Sequence, residues 1–287
     1  MEYLLEPFLD NAFMTRALLA GVLVSIACAV VGTFVVLRGL AFIGDALAHG
    51  VLPGIAAAIL LGLPGMLGAA AGALVMIGGV SLVQRHSRLS SDTAIGLLFV
   101  AMLALGVVMI SASDAFQGDL VAILFGQILG TSWEQIVIMA GATVLVIAVS
   151  VVAARPFMLL SFDPEQADVA GYPSRRYHML MLLLVALTVV VAFQTVGTLL
   201  VFGMLLAPAA TGALLATRIG SMMIIAAVIG SISTYLGLLI SYWFDYAAGA
   251  MIVLVAVTIF FIVFAISNVR EASSHVSTTD PSGETLS

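Results

Sequence analysis

Lysine is absent from this chain of 287 residues, and charged side chains make up only 8% of it. A soluble domain carries about 25%. With 63% hydrophobic residues and a mean hydropathy of +1.25, the chain reads as a polytopic membrane protein rather than a soluble core. The missing lysine also excludes the phosphate loop G-x-x-x-x-G-K-[ST], whose lysine holds phosphate. If ATP drives this protein, another chain binds it. The single cysteine, Cys28, sits inside an apolar run, which excludes a disulfide framework and a thiolate cluster. H-E-x-x-H is absent too, so no intramembrane metalloprotease is indicated. The opening MEYLLEPFLDN is acidic and does not read as a cleaved signal peptide.

What is present is a series of long apolar runs. A spanning helix needs about 20 such residues. The runs are 17–37, 41–61, 66–83, 93–111, 135–154, 179–217, 219–244 and 246–269. The run 179–217 is too long for one helix and divides near 194–197, giving sixth and seventh segments. The expectation is an all-α membrane protein of about nine, eight to nine, transmembrane helices. In the seventh segment, Pro208 and several glycines invite a break. Residues 1–270 form one transmembrane domain, and 271–287, with His275, read as a disordered cytoplasmic tail.

If nine segments alternate, Arg38, Arg85, Arg88, Arg155, Arg175, Arg176, Arg218 and Arg270 share one side and only Arg16 lies on the other. The positive-inside rule then puts the N-terminus outside and the C-terminus in the cytoplasm. Gly68 and Gly72 stand at G-x-x-x-G spacing and suggest close helix contact. Gly126 and Gly130 repeat that spacing in a semi-polar outer loop, 112–133, which suits a short helix or an ordinary connector.

The inner loop SFDPEQADVAGYPSRR specifies a short closed helix. Asp163 suits an N-cap, Pro164 the first helical position, and Gln166 completes an Asp-x-x-Gln capping box. Gly171 suits the position after the helix, and Pro173 prevents continuation. Ala167, Val169 and Ala170 leave it little apolar surface. It is either a rigid turn or an element that docks into a cytoplasmic partner.

The chemistry concentrates in RGLAFIGDALAHGVLPG. Asp45 and His49 are four residues apart, on one helix face. An aspartate in the bilayer centre costs roughly 2.5–3.5 kcal/mol, so an intramembrane carboxylate marks a function. The pair can be metal ligands, an ion pair or a proton relay. Carboxylate and imidazole suit zinc, manganese or ferrous iron, and two ligands are too few for any of them. A two-fold dimer would supply two Asp45 and two His49. A secondary transporter driven by an ion gradient, with Asp45 and His49 as the relay, is the alternative. A serine enzyme is disfavoured, because Ser231 and Ser233 have no histidine in a spanning segment besides His49.

These blocks resemble the membrane-spanning subunits of zinc- and manganese-type ABC importers. That family carries an Arg–x–aromatic–x–Gly–Asp–x–Leu–x–His–x–x–x–Pro–Gly pattern. Arg38, Phe42, Gly44, Asp45, Leu47, His49, Pro53 and Gly54 follow it, with looser spacing after the arginine. Asp163, Glu165, Ala167, Ala170 and Gly171 match its coupling segment, and Gly197, Leu200, Leu205, Pro208 and Ala209 a third block. The resemblance implies the fold of the cobalamin and siderophore permeases. It implies metal coordination by Asp45 and His49, and coupling to an ATPase through Asp163, Pro164, Glu165, Gln166, Ala167, Ala170 and Gly171. It also implies a second copy of the chain, cytoplasmic ATP-binding subunits and an extracytoplasmic metal-binding protein as partners. The setting is the lipid of a prokaryotic cytoplasmic membrane, without nucleic acid. No cofactor is held permanently; the zinc or manganese, or iron, is cargo.

Overall fold

The computed structural model describes residues 6–8, 10–87, 90–111 and 127–276. The helices are α1 (Ala12–Leu37), α2 (Ala41–Gly50), α3 (Leu52–Leu60), α4 (Gly65–His86), α5 (Ser91–Ser111), α6 (Trp133–Val152), α7 (Ala154–Phe162), α8 (Pro164–Val169), α9 (Ser174–Leu215), α10 (Ile219–Phe244) and α11 (Ala248–Val276). α2 and α3 together make one span, Ala41–Leu60, and among the described residues eight helices are long and apolar enough to cross a membrane. Most of the loop expected to carry an outer helix lies outside the described residues. Its end, Ile128–Gly130, is one 3-10 turn. Helix α11 runs six residues past Arg270, into the segment whose composition reads as a tail; 277–287 lie outside the described residues.

α1 is the central helix, because small residues let its neighbours approach it closely. A methyl group at Gly32 would press on the Leu205 carbonyl, and one at Gly21 on the Thr234 side chain. Ser25 and Thr234 hydroxyls meet 3.1 Å apart across the α1–α10 contact. The hairpin of α3 and α4 closes in the same way. Gly54 of α3 lies against the Gly68 carbonyl and near the Gly72 amide, which bears out the close contact expected of that G-x-x-x-G pair.

The long α9 is two arms, divided where the sequence suggested. Gly197 has φ +75° and ψ 165°, far from helical values. The first arm runs antiparallel to α1: Arg38 meets His178, and Thr188, Val191 and Ala192 lie level with Val24 and Ala27. The second runs parallel to α1, from Val201 at Cys28 to Ala209 at Gly32. The second arm, Leu200–Leu215, is the seventh segment of the sequence and is shorter than a full span. At 1.5 Å per residue it covers about 24 Å, against a hydrocarbon core of about 30 Å. Both ends of this hairpin reach the arginine-bearing end, so the alternation of sides survives the short arm.

A candidate intramembrane metal site and a capped surface helix

Helix α2 starts after a tight turn in which Gly39, at φ +64°, ends α1. The Leu40 and Gly39 amides close that turn on the Val35 and Val36 carbonyls, each at 3.0 Å. Ile43, Ala46, Leu47 and Ala48 bury one side of α2, and Gly44 seats the Leu205 side chain of the second α9 arm. The opposite side is only partly covered by this chain. There Phe42 is 63% exposed, and the Asp45 and His49 side chains are 30% and 21% exposed. The spacing 42, 45, 49 is one helix face. Counting from Ala41, His49 lies about 12 Å along a span of about 29 Å. Pro53 lacks the N–H that would bond the His49 carbonyl, and the helix divides at Val51.

His49 Nε2 stands 3.4 Å from Asp45 Oδ1. That is longer than a well-formed hydrogen bond. His49 Nδ1 is buried without a hydrogen-bond partner, while Phe99 of α5 packs edge-on to the ring at 5.5 Å between centroids. The structure therefore brings the two sequence-predicted residues together, fixes the imidazole, and leaves its bonding capacity unspent. Among the described residues no third His, Cys, Asp or Glu joins them. Phe99 is a neighbour the sequence did not reveal, since an aromatic in an apolar run carries no distinguishing signal.

A second histidine of the bundle has a different task. His178, at the start of α9, accepts a 2.6 Å hydrogen bond at Nδ1 from Arg38. Arginine only donates, so the ring carries its proton on Nε2. Burial lowers the Arg38 pKa.

Helix α8 forms as its caps dictate. The Asp163 carboxylate accepts from the Glu165 and Gln166 amides at 2.9 and 3.1 Å. The reciprocal bond from the Gln166 side chain is not made, so the expected capping box is half formed. At the other end Gly171 has φ +83°. The Tyr172 amide bonds the Ala167 carbonyl at 2.9 Å, and the Gly171 amide that of Asp168 at 3.1 Å. This is a Schellman closure. Ala167 is buried against the bundle, while Val169, at 90% exposure, and Phe162 project from it. Pro164, Glu165, Gln166 and Ala170 complete the projecting loop. The sequence reading missed Asp168, whose carboxylate receives both the amide and the hydroxyl of Ser174 and so ties α8 to α9.

Eight spanning helices, a carboxylate–imidazole pair on an open intramembrane face and a rigid capped helix at the arginine-bearing end define a polytopic membrane transport subunit. The chain belongs to the ABC 3 transport family, whose description matches residues 10–267. As such it is a transport subunit and not an enzyme; ATP hydrolysis resides in a separate subunit. It is 39% identical over 267 residues to the manganese transport system membrane protein MntC of Halalkalibacterium halodurans, covering 93% of this chain and 91% of that one. Among solved structures it is similar to PsaBC from Streptococcus pneumoniae in complex with Fab, with TM-score 0.82, 36% identity and coverage of 91% and 94%. A metal-chelate type ABC transporter in an inward-facing conformation shares the fold at 16% identity, with TM-score 0.73 and coverage of 91% and 88%.

Proposed function

We propose that the chain is the permease of an ATP-driven importer for a divalent transition metal, with manganese first, zinc and iron next, and Asp45 and His49 as ligands. The carrying observation is the pair itself: His49 Nε2 and Asp45 Oδ1 3.4 Å apart, on a face of α2 that this chain only partly covers, with the imidazole ring set against Phe99. Two ligands do not hold such an ion. A second copy related by two-fold symmetry would contribute the same two side chains. Four ligands carrying two negative charges match one divalent cation. Oxygen and nitrogen ligands without thiolate bind moderately, which suits a site that must release its cargo.

In this reading the arginine-bearing end is cytoplasmic, the N-terminus is outside, and the membrane is the cytoplasmic membrane of a prokaryote. Residues 163–171 dock on the ATP-binding subunits, with Val169 and Phe162 as the apolar contacts. An extracytoplasmic metal-binding protein delivers the ion. Uptake into proteoliposomes by the complex assembled with its ATPase and delivery protein tests this. Manganese uptake should need ATP and should disappear in Asp45→Ala and His49→Ala at normal expression. Uptake without ATP, or undiminished in either variant, would overturn it.

A further inference from the structure

At the arginine-bearing end a groove of about 410 Å³ opens between α1, α6, α7 and α10. Ligand pockets commonly measure about 300–1,000 Å³. Val30 and Phe34 form its floor, and Val151 and Ile224 its rim. The two rim residues are 68% and 67% exposed, so the groove opens sideways at the flank of the bundle.

Three polar features stand in this apolar setting. Ser150 lines the groove at only 3% exposure, and among the described residues its hydroxyl has no hydrogen-bond partner. The hydroxyls of Ser25, Ser161, Ser231 and Ser233 each return to the carbonyl four residues back. Ser150 does not. Arg155 lies on the same groove and, among the described residues, makes no ion pair. Finally, Ile219 and Gly220, the first residues of α10, line the mouth, and no side chain caps that helix. Its first amides are thus free donors at the positive end of a 26-residue helix, preceded by Arg218. No acidic residue lines the groove.

We propose that this groove binds an anionic phospholipid of the leaflet at the arginine-bearing end. Its phosphate rests on Arg155 and the α10 N-terminus, an ester oxygen accepts from Ser150, and an acyl chain follows the wall from Val151 to Ile224. Charge complementarity selects an anionic headgroup. The apolar wall and lateral opening select a lipid over free phosphate.

The test uses the full-length chain in nanodiscs of phosphatidylcholine containing phosphatidylglycerol, with a diazirine on the acyl chain of either lipid. Per mole of lipid present, phosphatidylglycerol should label the groove residues around Ser150, Val151 and Ile224 well above phosphatidylcholine, while both label the rest of α6 and α10 alike. Arg155→Gln should lower that excess about fivefold, the weight of one arginine near an anionic surface. Gly220→Leu, at a position where an added Cβ meets nothing within 4 Å, should block the mouth and remove the excess of phosphatidylglycerol labelling at the groove without disturbing the fold. Equal labelling of the groove by both lipids, an excess unchanged in Gly220→Leu, or cross-links at this groove to a second copy of the chain would overturn the proposal.

Discussion

The Asp168 carboxylate holds Ser174 by two hydrogen bonds, from its amide at 2.7 Å and from its hydroxyl at 2.8 Å. Asp168 ends the exposed α8, and Ser174 begins the first arm of α9. Tyr172, between them, packs on Tyr177, which packs on Phe157, which packs on Phe34 of α1. A force on α8 therefore reaches both the central helix and the broken one.

Asp168→Ala should leave expression intact and lower the amount of metal moved per ATP hydrolysed, measured in proteoliposomes. The two bonds hold the Asp168 carboxyl below its usual 3.8. A group depressed on folding gives stability that is present above its unfolded pKa and lost as pH falls through the folded value. Protection of the Ser174 amide from hydrogen exchange should thus be complete at neutral pH and should weaken only below 3.8. Loss of protection near neutrality would show that the tie is held by something else.

His178→Ala should destabilise the chain by about 1–2 kcal/mol, since a half-buried guanidinium loses its acceptor. His178→Gln keeps an acceptor and should recover much of that loss. Thermal unfolding in detergent separates the two, and equal midpoints would contradict the role given to the 2.6 Å bond.

Gly54→Ala should cost about 1–3 kcal/mol, because its methyl group must displace the backbone of α4 at Gly68 and Gly72. Gly78→Ala meets nothing within 4 Å and should be neutral or slightly stabilising. Thermal midpoints of the two variants give the comparison; similar values would mean that the α3–α4 contact is not tight.

Gly197→Ala should cost about 1–3 kcal/mol, because φ +75° with ψ 165° is a region essentially restricted to glycine. If that break also works as a hinge, transport should fall in the surviving folded protein, read as uptake per folded chain. Full activity at full stability would mean that the α9 arms can part elsewhere.

The architecture was legible because its signals were long. Apolar runs located the spans, and the overlong run 179–217 located the Gly197 break. Asp45 and His49 stood out as a pair because a charge in an apolar run is expensive. The caps of α8 were legible at Asp163 and Gly171, whose conformations follow from residue type. What stayed hidden depends on tertiary proximity. Arg38 and His178 are 140 residues apart. Phe99 looks like any core aromatic, and Asp168 chooses Ser174 only because the Gly171 turn folds the chain back. The Gln166 bond failed because the Asp163 amide, from which its side chain would accept, already donates to the Leu159 carbonyl at 2.8 Å.

The central claim is that Arg38–Pro64 provides half of a site and a second copy provides the rest. Metal analysis of the purified protein with manganese at equilibrium, with its oligomeric state measured alongside, tests it most directly. The account predicts one ion per two chains, falling to background in His49→Ala while the dimer persists. One ion per chain, or retention of the ion in His49→Ala, would contradict it.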